Sequence, residues 1–277
     1  MKHLTDRNIL MDFDGKTSVV TGGAGGIGVG IALELARRGS NVVVADMNED
    51  FAEEVIAKIN AGGSRASFLK TDVTEQWSTD AMVEVALEEY GQLDVLVNNA
   101  GIGGADGFSK RKLPTIEDWQ ATFDVNVYGI VNGIRSVENY MIDRGYGKIV
   151  NIASIAGRVG GSVGFASYAA SKAAAINVSQ AWAFKLAPHG INVNTVCPGL
   201  IWTPLWANIA ERRRMMNEYD TQLLPRELFQ QTVAEMVPLG REQTSDDIGN
   251  AVAFLASDRA QSINGQALNV DGGIRMN

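Results

Sequence analysis

Cysteine and histidine are scarce in this chain. Cys197 is its single cysteine, so no internal disulfide can form, and a reducing, cytoplasmic setting is expected. The apolar run around Cys197 marks it as a core residue rather than a nucleophile. His3 and His189 are the two histidines, which argues against a Ser-His-Asp triad and against a His-rich metal site. No metal is expected. Long apolar runs are missing as well: none approaches the ~20 residues of a membrane helix. Positive charge is in deficit, with 24 Lys and Arg against 32 Asp and Glu and a net charge of −8. That balance argues against a nucleic-acid surface. The stretch from Met1 to Asp12 lacks the apolar core of a secretion signal and reads as a loose tail, the alternative being a partner-contacting arm.

What is present is an ordinary globular composition. Apolar residues make up 45% and charged residues 20% of 277, which suits one large α/β domain over 13–277. Its first unit is the most telling. Thr17-Ser18-Val19-Val20 reads as a buried strand and runs into Thr21-Gly22-Gly23-Ala24-Gly25-Gly26-Ile27-Gly28. A helix follows, with Ile27, Ile31 and Leu35 on one face and a stop at Gly39. Without Cβ atoms the loop backbone can approach a pyrophosphate, and the helix N-terminus offers free N–H groups and partial positive charge. A glycine string placed between a strand and a helix is far more specific than the string alone.

The next strand, Asn41 to Ala45, ends at Asp46, about twenty residues past the loop, where an acid can accept from ribose hydroxyls. The same carboxylate repels a 2′-phosphate, and no Lys or Arg stands beside it. The reading is NAD over NADP. The alternative is that Asp46 caps the helix from Glu49 to Ala61. Further on, Ser67 to Thr71 leads to Asp72-Val73, where Asp72 either accepts from an adenine amino group or caps a helix from about Glu75 to Tyr90. Asp94 to Val97 is another buried strand and ends in Asn98-Asn99-Ala100-Gly101, small polar residues where open α/β sheets bind ligands. Asn98 can equally tie neighbouring strands together. A helical stretch from Ile116 to Asp143 is expected to be interrupted at Gly129 and Gly133. Asn126 inside it needs partners, and a helix distortion exposing a carbonyl would supply them. Lys148 to Ala153 forms a strand that delivers Ser154 at its C-terminal end.

Tyr168-Ala-Ala-Ser-Lys172 opens a helix that meets no Pro or Gly before Pro188. Residues four apart share a helix face, so Tyr168 and Lys172 point the same way. A free Tyr titrates at about 10, and a cation within roughly 4–6 Å lowers that by about 1–3 pH units. The pair can therefore make an acid/base near neutrality. A lone Tyr-x-x-x-Lys is more often surface decoration; its company decides the matter here.

Taken in order, Thr21 to Gly28, Asn98 to Gly101, Ser154, Tyr168 with Lys172, and Pro198-Gly199 followed by Thr203 resemble the short-chain dehydrogenase/reductase family. The resemblance runs from about Phe13 to Gly273. It implies a Rossmann-type, doubly wound parallel sheet of about seven strands flanked by helices. It implies that Tyr168 is the general acid/base, that Lys172 lowers its pKa and holds the nicotinamide ribose, and that Ser154 hydrogen-bonds the substrate oxygen. Asn126 would help hold a water linking Lys172 to solvent. Thr203 would contact the carboxamide, with the backbone near Ile201 supporting it and Pro198 and Gly199 under the ring. The cofactor set is then Gly22, Gly25, Gly26, Ile27, Gly28, Asp46, Asp72, Val73, Asn99, Ala100, Gly101, Tyr168, Lys172, Pro198, Gly199, Ile201 and Thr203. Similar enzymes are usually homotetramers.

The segment 203–238 lies where this family covers its substrate. Leu205 to Ala210 and Pro225 to Met236 read as helices, either a lid or a packed hairpin that never moves. Trp202, Trp206, Met215 and Met216 would make an apolar wall, which points to an apolar, ring-bearing or branched secondary alcohol. Arg212-Arg213-Arg214 is expected on a solvated face, the alternative being a grip on an anion. Thr244 offers an N-cap for the next helix, and Gln266 to Val270 is the last strand. Other classes remain: a dinucleotide sensor without turnover, which has no need of Ser154, Tyr168 and Lys172, or a sugar epimerase or dehydratase, whose larger substrate domain 277 residues hardly allow.

Overall fold

A computed structural model describes residues 11–215 and 223–276. Seven strands form one parallel sheet: β1 (Thr17–Thr21), β2 (Asn41–Asp46), β3 (Ala66–Lys70), β4 (Val95–Asn98), β5 (Gly147–Ile152), β6 (Ile191–Pro198) and β7 (Ala267–Val270). Their order is β3-β2-β1-β4-β5-β6-β7. The central strands β1, β4, β5 and β6 are buried along their whole length, as in a sheet covered on both faces, while the edge strands β3 and β7 are only half-buried. Alternate residues serve opposite sides. In β2, Val42 and Val44 enter one core and Val43 and Ala45 the other; in β1, Val20 and Val19 divide the same way.

The first core is closed by α1 (Gly26–Arg37), α2 (Glu49–Ala61) and α9 (Ser245–Ala256), and the second by α3 (Gln76–Tyr90), α5 (Gly129–Arg144) and α6 (Ala166–Leu186). Each fully buried Val, Ile or Leu contributes about 1.5–3 kcal/mol. Cys197 lies in the second core at 0% exposure. Helices α1 and α9 meet backbone to backbone: a Cβ on Gly30 would stand 2.5 Å from Ser245, and one on Gly249 would stand 2.6 Å from the Gly30 carbonyl.

The expected break at Gly129 and Gly133 is elsewhere. Helix α4 (Ile116–Phe123) passes through a π turn over Asp124–Tyr128 and then into α5 without a gap. The two glycines allow close packing instead. A Cβ on Gly133 would stand 2.3 Å from Asn98 Oδ1, and one on Gly129 2.7 Å from Val73.

Helices α7 (Pro204–Met215) and α8 (Pro225–Met236) stand apart from both cores, with their own apolar cluster around Trp206, Leu228, Phe229 and Val233. The loose tail read over Met1–Asp12 lies mostly outside the described residues. Its last residue is tied down: Asp12 pairs with Arg38 at 3.2 Å.

Candidate active site

The C-terminal ends of the strands open into a cavity of about 760 Å³. It lies where the strand order reverses between β1 and β4, the switch point at which such sheets bind ligands. Thr21 and Asn99 latch that point shut. Thr21 Oγ1 accepts from the Asn99 and Ala100 amides at 3.0 and 3.1 Å, and Asn99 Nδ2 donates to the Thr21 and Gly22 carbonyls at 3.0 Å each. Gly22 needs its positive φ of 62° and its missing Cβ, which would stand 2.9 Å from Ala100 Cα. Gly22, Gly25, Gly26 and Ile27 line the cavity. Gly28, expected among them, does not: a Cβ there would stand 2.0 Å from the Gly22 carbonyl oxygen, so this glycine lets α1 press against its own loop. At Gly25 a Cβ would meet open space. A bare backbone at a helix start, latched and facing a cavity, fits the pyrophosphate of a dinucleotide.

Asp46 stands at the cavity's far end. It does not cap α2; Asn48 does, accepting from the Phe51 amide at 3.3 Å. Asp46 instead accepts from the Ala24 and Asn48 amides, one on each oxygen, both at 3.0 Å. This ties the glycine loop to β2 and leaves lone pairs on both oxygens. Asp72 does not cap α3 either. Its Oδ1 accepts from the Thr74 amide at 2.9 Å and hydroxyl at 2.7 Å, and Asp72 and Val73 line the cavity. Asn98 ties strands together, donating to Asn151 at 2.8 Å, while Asn99, Ala100 and Gly101 border the cavity.

Ser154, Tyr168 and Lys172 converge on the same cavity. Ser154 caps a short 3-10 turn, and its side chain hydrogen-bonds the Tyr168 phenol. Lys172 is 3% exposed and donates to the Ile152 carbonyl at 2.9 Å. Its Nζ lies 5.8 Å from the Tyr168 ring centroid. Here the geometry differs from the argument on spacing alone. Burial raises the Tyr168 phenol above its usual value, with the Ser154 hydrogen bond opposing, and burial also brings Lys172 down to about 8. The ammonium is turned toward a carbonyl rather than the phenol, and desolvation disfavours the charged form of both groups. Tyr168 therefore keeps its proton at neutral pH, in donating distance of Ser154.

Asn126 sits in the π turn, fully buried, and does not border the cavity. Its amide is committed: Oδ1 accepts from the Ile102 amide at 2.8 Å, and Nδ2 donates to the Ile102 carbonyl at 2.9 Å and Ser171 at 3.0 Å. It pins the loop after β4 against α6. A π turn also loosens the local backbone ladder, as such turns do at functional sites.

Pro198, Gly199, Ile201 and Thr203 form the adjoining wall. Thr203 faces the glycine loop, its Cγ2 3.6 Å from where a Gly26 Cβ would be. Trp206 lines the cavity, but Trp202 does not. Trp202 packs inward, 5.3 Å from the Phe229 ring, with the Arg226 guanidinium 5.1 Å from its own ring. The Met215 side chain and Met216 lie outside what is described. The arginine run is not a solvated face. Arg212 is 1% exposed, 4.6 Å from both the Phe108 and Phe165 rings, and donates to the Arg111 and Lys112 carbonyls at 2.7 and 2.5 Å. Arg213 lines the cavity, and Arg214 pairs with Glu211 at 2.9 Å. Sequence reasoning missed Leu205, Ile209 and Arg275 as cavity residues. The four-residue spacing of Leu205, Ile209 and Arg213 was the available signal for α7.

Such an arrangement can cradle a dinucleotide along one arm and hold a proton donor beside an oxygen-bearing substrate at the other. The family model described as enoyl-(acyl carrier protein) reductase matches residues 22–275. A diacetyl reductase [(S)-acetoin forming] of Staphylococcus epidermidis is 37% identical over 94% of this chain and 98% of its own. A 2,5-dichloro-2,5-cyclohexadiene-1,4-diol dehydrogenase of Sphingobium indicum is 38% identical over 94% and 96%. The crystal structure of an NAD+-bound xylitol dehydrogenase superposes with a TM-score of 0.85 at 32% identity, covering 94% of this chain and 99% of that one. With the ordered motifs now joined at one cavity, the chain belongs to the short-chain dehydrogenase/reductase family, nicotinamide-dependent oxidoreductases of alcohols and ketones.

Proposed function

We propose that this protein is an NAD-dependent dehydrogenase/ketoreductase acting on a secondary alcohol or ketone with an apolar or ring-bearing body. The observation that carries the reading is the meeting of Ser154, Tyr168 and Lys172 in the cavity that the glycine loop opens. A bound nicotinamide would supply or take up the hydride. In ketone reduction Tyr168 donates its proton to the carbonyl oxygen, and Ser154 holds that oxygen and the phenol in register. In alcohol oxidation the same groups work in reverse. Lys172 would offset the charge left on the phenolate and hold the ribose, solvent would resupply the proton, and Asn126 holds the loop after β4 against α6. Such positioned proton transfer contributes about 10²–10⁴ in rate.

The preference for NAD rests on Asp46. Its carboxylate is fixed at the end of β2 by the Ala24 and Asn48 amides, and a 2′-phosphate there would meet negative charge. Helices α7 and α8 form the proposed lid, and its apolar wall, including Leu205, Trp206 and Ile209, supports the apolar body. The family resemblance supports a homotetramer. A dinucleotide sensor is the rival reading, and the convergence of an acid/base set that a sensor does not use weighs against it.

The test is turnover followed by NADH absorbance, with NAD and NADP side by side, on cyclic, aromatic and aliphatic secondary alcohols, with Tyr168→Phe as control. NAD-dependent turnover lowered at least about 100-fold by the substitution is expected. Tight NAD binding without turnover on any alcohol would move the conclusion to the sensor. Preference for NADP would overturn the reading of Asp46.

A further inference from the structure

The walls of the cavity are electrically divided. Among the described residues its acids are Asp46 and Asp72, at the end assigned to the adenosine. Its cations, Lys172, Arg213 and Arg275, stand elsewhere along the wall. Lys172 is accounted for by the Ile152 carbonyl, to which it donates. The two arginines come from unrelated parts of the chain, Arg213 from α7 and Arg275 from the segment after β7, yet they line one space.

Arg213 is placed by helix geometry. Leu205, Ile209 and Arg213 follow at four-residue intervals, so one stripe of α7 faces the cavity. The stripe is apolar where α7 begins beside Thr203 and cationic about 12 Å further along its axis. The Arg213 guanidinium lies 5.4 Å from the Trp206 ring centroid, a cation-π contact. Arg275 is half-buried, and its Nε is shut away from solvent without a hydrogen-bond partner. Among the described residues no carboxylate pairs with it. A buried guanidinium donor left unmet is costly, and the cheapest partner for its fork is a carboxylate.

We infer that the substrate is an acid: an apolar or ring-bearing body carrying the reacting carbon, with a carboxylate at its far end gripped by Arg213 and Arg275. The inference rests on the reading of the Tyr168 cavity as the reaction site. It explains why an otherwise apolar wall ends in fixed positive charge.

The experiment measures binding, not turnover, so the two readings can fail separately. The full chain with saturating NADH is titrated with 4-acetylbenzoate and with acetophenone, which differ by the carboxylate alone. The wild-type protein should bind the acid at least about tenfold more tightly, a gap of about 1.4 kcal/mol. Arg213→Met and Arg275→Met should each bring that ratio close to one, and Arg213→Lys, which keeps the charge, should restore part of it. Added salt should shrink the preference. Equal binding, tighter binding of acetophenone, or binding of neither probe overturns the inference. So does a loss in the arginine variants that falls on NADH while the acid preference survives, which would place these residues on the cofactor diphosphate. Acid-selective binding without turnover of either probe leaves the inference standing and counts against the catalytic reading instead.

Discussion

The glycine loop and the proposed α7–α8 cover face each other across one cavity and are built on opposite plans. The loop is made of backbone. Its contacts are amides, carbonyls and missing Cβ atoms, and its partners Thr21, Asn99 and Asp46 sit at fixed strand ends. The cover is made of side chains. Trp206 and Phe229 lie 4.8 Å apart edge to face, Trp202 packs against Phe229, and Arg212 reaches past two rings to carbonyls of another loop. A backbone device suits a ligand that never changes. A side-chain device can be re-cut to suit another substrate without disturbing the sheet.

The largest effect should come from breaking the backbone device. Gly28→Ala would place a methyl 2.0 Å from the Gly22 carbonyl oxygen and 2.7 Å from Asn99 Nδ2. Neither can retreat without unlatching β1 from β4. NADH affinity measured by fluorescence should fall at least about 100-fold, beyond 2.7 kcal/mol. Gly25→Ala meets open space and should cost far less. Equal losses at the two positions would mean that loop flexibility, not close approach, is what the glycines provide.

Cutting the cover should give the opposite signature. Phe229→Ala removes the ring against which both Trp202 and Trp206 pack. A buried Phe→Ala change typically costs about 3–5 kcal/mol in a core, and here the loss falls on a satellite cluster. The substrate KM should rise about tenfold or more, with NADH affinity changed less than about twofold. A matching loss of NADH affinity would show that cover and cradle are one cooperative unit.

The same contrast decides what could be read without coordinates. The sheet was readable from the apolar runs of β2 and β4, and the cradle because Gly22 and Gly28 leave no room for a Cβ. Tyr168 and Lys172 were readable because one helix turn brings them together. The fate of Arg212 was not, since its partners Phe108, Phe165, Arg111 and Lys112 come from other segments. Trp202 turned inward for a like reason: its partner Phe229 lies on a different helix. The π turn at Asp124–Tyr128 was half visible, in that Asn126 demanded an irregularity, but its place was misread because Gly129 and Gly133 drew attention to themselves. Their role is to admit Val73 and Asn98. The direction of the Tyr168 shift depends on where the Lys172 ammonium points, and helix spacing does not fix that.

The smallest effect should come from behind the cradle, at the start of α9. Thr244 accepts from the Asp247 amide at 3.2 Å, and Asp247 accepts from the Thr244 amide at 2.9 Å, a capping box. Thr244→Ala should lower stability by about 1 kcal/mol, read from urea unfolding, and leave NADH affinity alone. Asp247 adds a pH signature. Hydrogen bonds from Arg241, ahead of the opposing effect of burial, bring its carboxyl from 3.8 down to about 2. The folded state therefore binds fewer protons than the unfolded chain between those values, and the stabilisation is complete above about pH 4 and lost as pH falls toward 2. The stability gap between wild type and Asp247→Asn should be constant from neutrality down to about pH 5 and close below it. A gap that stayed constant through acidification would show that the box, not the charge on Asp247, holds α9 against Gly30 and the back of the loop.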